Sequence, residues 1–366
     1  MIKVLLVTAS LRVGGLESVV MNCARFMPAD KYSFDFLCWD ENEGEFEIEA
    51  GNFGGKVIKI PSPRDGYYKF FKNVKKVIEK NGKYDIVHSH VFFLSGIVLS
   101  AARACGVKTR IAHSHSVQRK SDRGVIRKIY CSTMRKLINK NANIRCACSV
   151  ATGNYLYGDK VFASSGIVLP NVVDLASYEF SEANRQLIRQ EFGLSDDQIV
   201  VGNVGHLLPV KNQEFLLEVF SEYSQCNNAH LIIVGDGPER KKITNKIREL
   251  GMENKTILAG TRMDVCKIMS AIDIFVLPSL HEGLPLTVIE AMANGLYFVM
   301  EKQIIAKELS VFSNCIEVDG YTVSDWSEGI SKGIQNGRRD SRLCIRELSL
   351  FSIEHFREVL EKMYTK

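Results

Sequence analysis

Ile199-Val200-Val201-Gly202-Asn203-Val204-Gly205 reads as a buried strand running into a glycine turn. It restarts a pattern that the chain has already used once. Downstream, helical spacing over 214–223, 240–250 and 286–293 alternates with apolar runs over 230–234, 256–259, 274–277 and 297–300. Upstream, runs over 3–8, 34–39, 57–60, 84–90, 110–115, 145–149 and 166–169 alternate with helical stretches over 17–27, 68–79, 94–105 and 125–139. Strands separated by helices of this length pair in parallel, because a parallel neighbour needs a long crossover. The expected fold class is α/β: two Rossmann-like, doubly wound domains, 1–175 and 176–350, facing a cleft. Residues 351–366 carry apolar Phe351, Ile353, Phe356, Val359, Leu360 and Met363 at helical spacing, after the second domain's strands are used up.

Composition narrows the class. The chain has 366 residues, 46% hydrophobic and 24% charged, as a globular protein of two ordinary domains does. No apolar run reaches the roughly 18 residues of a membrane span. The first residues read as a buried strand and not as a signal peptide, and the expected location is cytoplasmic. The 10 cysteines are scattered without a C-x-x-C pair, as reduced, mostly buried thiols are. Charge is divided unevenly. Residues 1–170 hold 26 Lys and Arg against 14 Asp and Glu, whereas 171–366 hold 21 against 28. The sharpest basic stretch is 118–145, where Arg119, Lys120, Arg123, Arg127, Lys128, Arg135, Lys136, Lys140 and Arg145 face Asp122 alone. Such a stretch attracts an anionic membrane face, a phosphorylated substrate or nucleic acid, or is a solvated helix face.

Chemistry concentrates in Pro278-Ser279-x-x-Glu282-Gly283-Leu284-Pro285-Leu286-Thr287-x-x-Glu290. A strand ends in a loop holding one carboxylate. A helix begins near Pro285 and carries the second. Open N–H groups at a helix start bind phosphate or sugar hydroxyls, and a carboxylate accepts two hydrogen bonds from a vicinal diol, so Glu290 suits a ribose. Two surface glutamates flanking an ordinary amphipathic helix are the plain alternative. After the strand at 199–204, Gly205-His206 lead to Lys211, a point charge able to neutralise a diphosphate. Gly14-Gly15 after the first strand allow close backbone approach but lack the Gly-x-Gly-x-x-Gly of a dinucleotide site. His88 with His90, and His113 with His115, alternate on strands, so each pair shares a face. No carboxylate or Cys partner for a metal is evident beside them, and the chain has no Asp-x-Asp.

With these pieces in order, the chain resembles the retaining nucleotide-sugar glycosyltransferases of family four, which have the GT-B architecture. The resemblance runs over nearly the whole chain: Gly14-Gly15-Leu16-Glu17, Asp85-Ile86-Val87-His88-Ser89-His90, Arg110-Ile111-Ala112-His113-Ser114-His115, Leu169-Pro170-Asn171, Gly205 to Lys211, Val234-Gly235-Asp236-Gly237-Pro238 and the two-glutamate string. It is most similar to the branch that builds bacterial exopolysaccharide and capsule.

The resemblance implies a metal-independent transfer with retention, no cofactor, and a nucleotide-diphosphate sugar, a UDP-sugar, as donor. It assigns Glu282 and His115 to catalysis. It assigns Gly14, Gly15, His113, Gly205, His206, Lys211, Met263, Gly283, Leu284, Leu286, Thr287 and Glu290 to the donor. It also implies a terminal helix that packs back on the first domain. The acceptor would be a saccharide or a lipid-linked saccharide, not nucleic acid, with peripheral membrane contact through 118–145. The chain departs from the family at His206, where an Arg commonly follows the glycine, and at Gly295-Leu296-Tyr297, where Gly-x-Pro is frequent. A nucleotide-sugar-binding protein without catalysis, and a sugar-nucleotide epimerase of the same architecture, are the alternatives.

Overall fold

The computed structural model describes residues 1–116, 124–304, 309 and 312–365. Arg119, Lys120, Asp122 and Arg123 of the basic stretch, and Lys366, lie outside the described residues. The chain forms two compact units, Met1–Val172 together with Ile353–Lys366, and Val173–Ser352.

The first unit is built on seven parallel strands: β1 (Ile2–Val7), β2 (Tyr32–Cys38), β3 (Val57–Lys59), β4 (Ile86–Ser89), β5 (Thr109–Ser114), β6 (Ile144–Ala147) and β7 (Gly166–Val168). Their order is β3-β2-β1-β4-β5-β6-β7. Strand residues alternate between the two faces of a sheet. Accordingly Leu5, Val7, Val87, Ala112 and Ala147 pack with the helices Tyr67–Lys80, Ser95–Ala104 and Val125–Asn141. Val4, Leu6, Phe34, Phe36, Ile86, Ile111 and Cys146 pack on the other face with the helix Gly15–Arg25 and with Phe356, Leu360, Met363 and Tyr364. The last four belong to the helix Ile353–Tyr364. Phe356 meets Phe26 edge-on, 6.4 Å between centroids, and Arg357 Nε donates to the Phe26 carbonyl at 2.7 Å. Burial on both faces is why the centre of β1, Val4–Val7, reads as a continuous apolar run.

The second unit has six parallel strands: β8 (Ile199–Val204), β9 (Ala229–Val234), β10 (Thr256–Gly260), β11 (Ile274–Leu277), β12 (Phe298–Glu301) and β13 (Cys315–Val318). Their order is β10-β9-β8-β11-β12-β13. Val201, Leu231, Ile233, Val276 and Val299 pack with fully buried Trp326, whose Nε1–H donates to the Gly320 carbonyl at 2.9 Å.

Both sheets reverse direction at their first strand, between β1 and β4 and between β8 and β11. In an open parallel sheet the crevice beyond the carboxyl ends of such a pair is where ligands bind. Those two strand ends carry the residues of interest in each unit.

The sequence reading has no elements at Val150–Tyr157, Asp159–Ser165, β13, Val323–Asn336 or Ser341–Glu347, all of which are regular. The first is opened by a capping box: the Ser149 hydroxyl accepts from the Thr152 N–H at 3.3 Å, and the Ser149 N–H donates to Thr152 Oγ1 at 3.2 Å. The helix at 125–139 extends to Asn141, and its apolar residues divide. Met134 and Ile138 are buried, whereas Val125, Ile126 and Ile129 are 74%, 86% and 62% exposed.

Candidate functional site

In the second unit, β8 ends at Val204 and the chain turns through Gly205 to Lys211, the last residue of a short 3-10 turn. β11 ends at Leu277 and leads through Glu282 to a helix, Leu286–Ala293, for which Pro285 is the N-cap residue. The two loops are tied together. The Leu280 N–H donates to the Val210 carbonyl at 2.8 Å, and Lys211 Nζ donates to Glu282 Oε1 at 2.7 Å. The Tyr321 hydroxyl holds the Ser279 carbonyl at 2.6 Å. The β8–β11 switch point therefore presents one lysine and one carboxylate, both mostly buried, as an ion pair.

The glycines after β9 support this loop. Gly235 has φ +133, and a Cβ there would lie 2.1 Å from the Gly205 carbonyl oxygen, so no other residue fits. The Leu207 N–H donates to the Asp236 carbonyl at 3.0 Å. His206 is exposed, with Nδ1 at 3.4 Å from the Asp236 carbonyl oxygen. The Val234–Pro238 string, one of the pieces that carry the resemblance, is thus the buttress of the Gly205–Lys211 loop.

Glu290 sits in the helix that Glu282 and Gly283 lead into. Burial pushes its carboxyl up to about 7, opposed by a hydrogen bond from the Tyr178 hydroxyl. Burial and the facing carboxylate push the Tyr178 phenol up in turn, so it stays the donor. Leu284 is buried, Gly283, Leu286 and Thr287 are half-buried, and the buried Thr287 Oγ1 has no partner among the described residues. Met263 is 71% exposed on the loop after β10. Its neighbour Arg262 is held by Asp264 at 2.8 Å and Glu191 at 3.1 Å, so it is an anchor of that loop.

In the first unit, Gly14 has extended backbone (φ −171) and caps the helix that Gly15 begins. Gly15 borders open space rather than a left-handed turn, which leaves its backbone approachable. Four histidines meet at the ends of β4 and β5. Tyr364 Oη lies 3.0 Å from His88 Nδ1, and His88 Nε2 lies 3.2 Å from His113 Nδ1. His90 Nδ1 lies 3.0 Å from His115 Nε2. The strand ends at Ser114, one residue short of the sequence boundary, so His115 follows it. Burial holds all four imidazoles neutral: His88, His90 and His113 fall well below the ordinary value, and His115 falls to about 3, with Asn171 opposing weakly.

The expectation that no cysteine lies beside the histidines is corrected. Cys23 stands with His88 and His90 in one group of potential ligands, and His90, His113 and His115 form another, their ligand atoms within 4.8 Å of one another. Both ring nitrogens of His88 are already engaged, and burial keeps the Cys23 proton on, so the first group suits a metal poorly. In the second, His90 Nδ1 and His115 Nε2 meet each other and His113 Nδ1 meets His88, so each imidazole has at most one nitrogen left for a ligand.

Sequence reasoning missed Tyr178, Tyr321 and Tyr364. Each is a lone tyrosine far along the chain from its partner, with no local pattern to mark it.

The family described as Glycosyltransferase Family 4 matches residues 13–177, and the one described as Glycosyl transferases group 1 matches residues 184–343. EpsF of Bacillus subtilis, named as a glycosyltransferase, is 31% identical over 92% of this chain and 88% of its own. The Escherichia coli UDP-Gal:α-D-GlcNAc-diphosphoundecaprenol α-1,3-galactosyltransferase is 31% identical over 78% of this chain and 75% of its own. Anabaena HepE, solved in complex with UDP and glucose, superposes with a TM-score of 0.83 over 100% of both chains at 19% identity.

Proposed function

The chain belongs to glycosyltransferase family 4, with the GT-B fold, and from that premise we propose that it moves a sugar with retention from a UDP-sugar to a lipid-linked saccharide in capsule or exopolysaccharide synthesis. The E. coli relative's name specifies a UDP-sugar donor and a diphosphoundecaprenol-linked acceptor. The observation that carries the reading is the Lys211–Glu282 pair at the β8–β11 switch point, followed within one helix by Glu290.

Each residue has a task there. Lys211 Nζ neutralises the diphosphate, and as the bond from the anomeric carbon to the phosphate oxygen breaks it offsets the charge left on the diphosphate. The Gly205 N–H already donates to the Val234 carbonyl at 2.9 Å, so backbone at His206, and at Gly283, Leu286 and Thr287, holds phosphate and sugar oxygens. The loop at Met263 holds the base. Glu290 accepts the ribose diol. Glu282, once Lys211 turns to the phosphate, accepts hydroxyl protons of the transferred sugar and orients it. The acceptor oxygen bonds to the anomeric carbon on the face the diphosphate leaves, and its proton passes to the departing phosphate oxygen. No covalent enzyme intermediate and no cofactor are needed. His115 and His113 are assigned to the sugar on the resemblance; being neutral, they serve as hydrogen-bonding groups rather than ion pairs.

We assign the lipid-facing surface to the starts of two helices in the first unit. Exposed Val125, Ile126 and Ile129 follow one another there, and Tyr67 stacks on Tyr130 at 5.7 Å, bringing exposed Tyr68 beside them. Arg64, Lys69, Lys72 and Lys128 are exposed around this patch. Apolar side chains ringed by cations suit the cytoplasmic face of an anionic bilayer, where a lipid-linked acceptor resides. No described helix is long and apolar enough to cross a membrane.

A panel of nucleotide sugars with a diphosphoundecaprenol-linked saccharide tests the reading. We expect UDP release with one donor and a product that keeps the donor's anomeric configuration, read by NMR. Inversion would overturn the front-face route. UDP binding without turnover on any acceptor would favour the non-catalytic alternative. Donor interconversion without acceptor would favour an epimerase.

A further inference from the structure

The Tyr364–His88–His113 chain has a polarity that chemistry fixes. Among the described residues, His88 is the only hydrogen-bond partner of the Tyr364 hydroxyl, at 3.0 Å. Tyr364 is 4% exposed, and burial raises its phenol, so the proton stays on oxygen. An imidazole nitrogen is a far better acceptor than a phenol oxygen. The hydroxyl therefore donates to His88 Nδ1. His88 is fully buried and neutral and carries one ring proton. With Nδ1 accepting, that proton sits on Nε2 and points along the 3.2 Å contact to His113 Nδ1. The two rings lie nearly parallel, 7° apart with centroids at 5.3 Å. His113 accepts at Nδ1, so its own single proton is on Nε2. That atom is buried and has no partner among the described residues.

We infer that Tyr364 is a positioning residue: through His88 it fixes His113 as the Nε2–H tautomer, a preset donor for a ligand oxygen. The helix Ile353–Tyr364 thereby does more than cover one face of the first sheet. Its last residue sets the proton on a side chain 251 positions away in sequence. A buried N–H left without an acceptor is costly, so the arrangement favours a bound sugar or phosphate oxygen at that atom. The reverse polarity would leave a bare nitrogen there, which takes a hydroxyl proton but repels an anionic oxygen. That His113 meets the donor rests on the function proposed above; the tautomer does not.

Nitrogen NMR of imidazole-labelled protein without substrate reads the tautomer directly, with the His113 signals assigned by their loss in His113→Gln. The wild type should show His113 with a protonated Nε2 and an unprotonated Nδ1. Tyr364→Phe removes one oxygen and keeps the packing. It frees His88 to adopt either tautomer, and the His113 signals should move toward the Nδ1–H form or an average of the two. Thermal unfolding within a few degrees of the wild type shows that the fold is intact. A His113 Nδ1–H tautomer in the wild type, or unchanged His113 signals in Tyr364→Phe, would overturn the inference. Turnover is read separately. A several-fold fall in kcat with KM for the donor within twofold is expected if His113 donates in the transition state. A shifted tautomer with unchanged turnover would leave the relay standing and remove His113 from the proposed donor site.

Discussion

Lys211 and Glu282 come from loops after different strands, and Lys211 Nζ donates to Glu282 Oε1 at 2.7 Å. A diphosphate arriving at this lysine must compete with the carboxylate already there. The pair is mostly buried, so the competition is worth more than at a surface. Glu282→Gln removes the competing charge while keeping the shape. We expect UDP to bind as tightly as to the wild type or up to about tenfold tighter, roughly 1.4 kcal/mol, while turnover falls by tenfold or more. Lys211→Ala should weaken UDP far more than uridine. Calorimetry with both ligands checks this. Equal losses for the two would remove Lys211 from the diphosphate, and full turnover by Glu282→Gln would remove Glu282 from the sugar.

Glu290 makes a second expectation pH-dependent. Its carboxyl is raised from 4.5 to about 7 by burial. Between these values the unfolded chain has lost a proton that the folded chain keeps, so stability falls as pH rises through this window and levels off above it. At about 1.4 kcal/mol per pH unit the window is worth at most roughly 3 kcal/mol. Glu290→Gln should flatten this fall and be the more stable protein at pH 8. Ligand binding runs the other way, because a ribose diol donates to the ionised carboxylate. Uridine, which has no phosphate titrating nearby, should bind tighter at pH 8 than at pH 6, and Glu290→Gln should lose both affinity and the pH dependence. Tyr178→Phe removes the bond that holds the carboxyl down, and should move the transition to higher pH. Flat uridine affinity from pH 6 to 8 would separate Glu290 from the ribose.

The alternating architecture was legible because the buried centres of β1 (Val4–Val7), β9 (Leu231–Val234) and β11 (Ile274–Leu277) are apolar on both faces and stand out as continuous runs. Lys211 and Glu282 were legible because they lie on loops that follow strand ends, and Glu290 because it sits in the helix after Glu282, in a string whose spacing is unusual as a whole. What escaped reading was set by tertiary distance. Tyr178 meets Glu290, Tyr364 meets His88, and Val210 meets Leu280 with nothing local to announce the pairing. The helices at Val150–Tyr157 and Asp159–Ser165 escaped because they are short, with buried Leu156, Tyr157 and Phe162 too few to make a period visible. Whether Ile126 and Ile129 face outward or belong to the core was left open by the sequence, because apolar residues at helical spacing fit either reading.

Packing of the terminal helix makes a stability expectation. Phe356 is 1% exposed among residues of the first unit, against Phe26. Phe356→Ala should cost about 3–5 kcal/mol, the usual loss for a large buried aromatic. Glu354→Ala, on the exposed side of the same helix, should change stability by less than about 0.5 kcal/mol. Urea unfolding of both variants reads the difference. Similar values would mean the helix is held by its charges and ends rather than by its apolar face.

The exposed patch on the first unit separates two contributions to membrane binding. Val125, Ile126 and Ile129 offer apolar area, and Arg64, Lys69, Lys72 and Lys128 offer charge. Charge attraction adds about 1 kcal/mol per cation at an anionic surface and fades within about 10 Å at 0.1 M salt. Apolar burial adds about 25 cal/mol per Å² and is insensitive to salt. Co-sedimentation with phosphatidylglycerol vesicles should therefore weaken as salt rises without vanishing. Lys69→Glu with Lys128→Glu should remove most of the salt-dependent part. Ile126→Ser with Ile129→Ser should remove the residual binding at high salt and leave the slope nearly unchanged. Since both isoleucines already face water, the double serine variant should keep its thermal stability within a few degrees, whereas serine at buried Ile138 should not. Turnover on a water-soluble acceptor should be unaffected by the serine pair, and turnover on a lipid-linked acceptor in vesicles should fall. If wild-type protein ignores anionic vesicles at low salt, or if the serine pair binds them as the wild type does, the patch has another role.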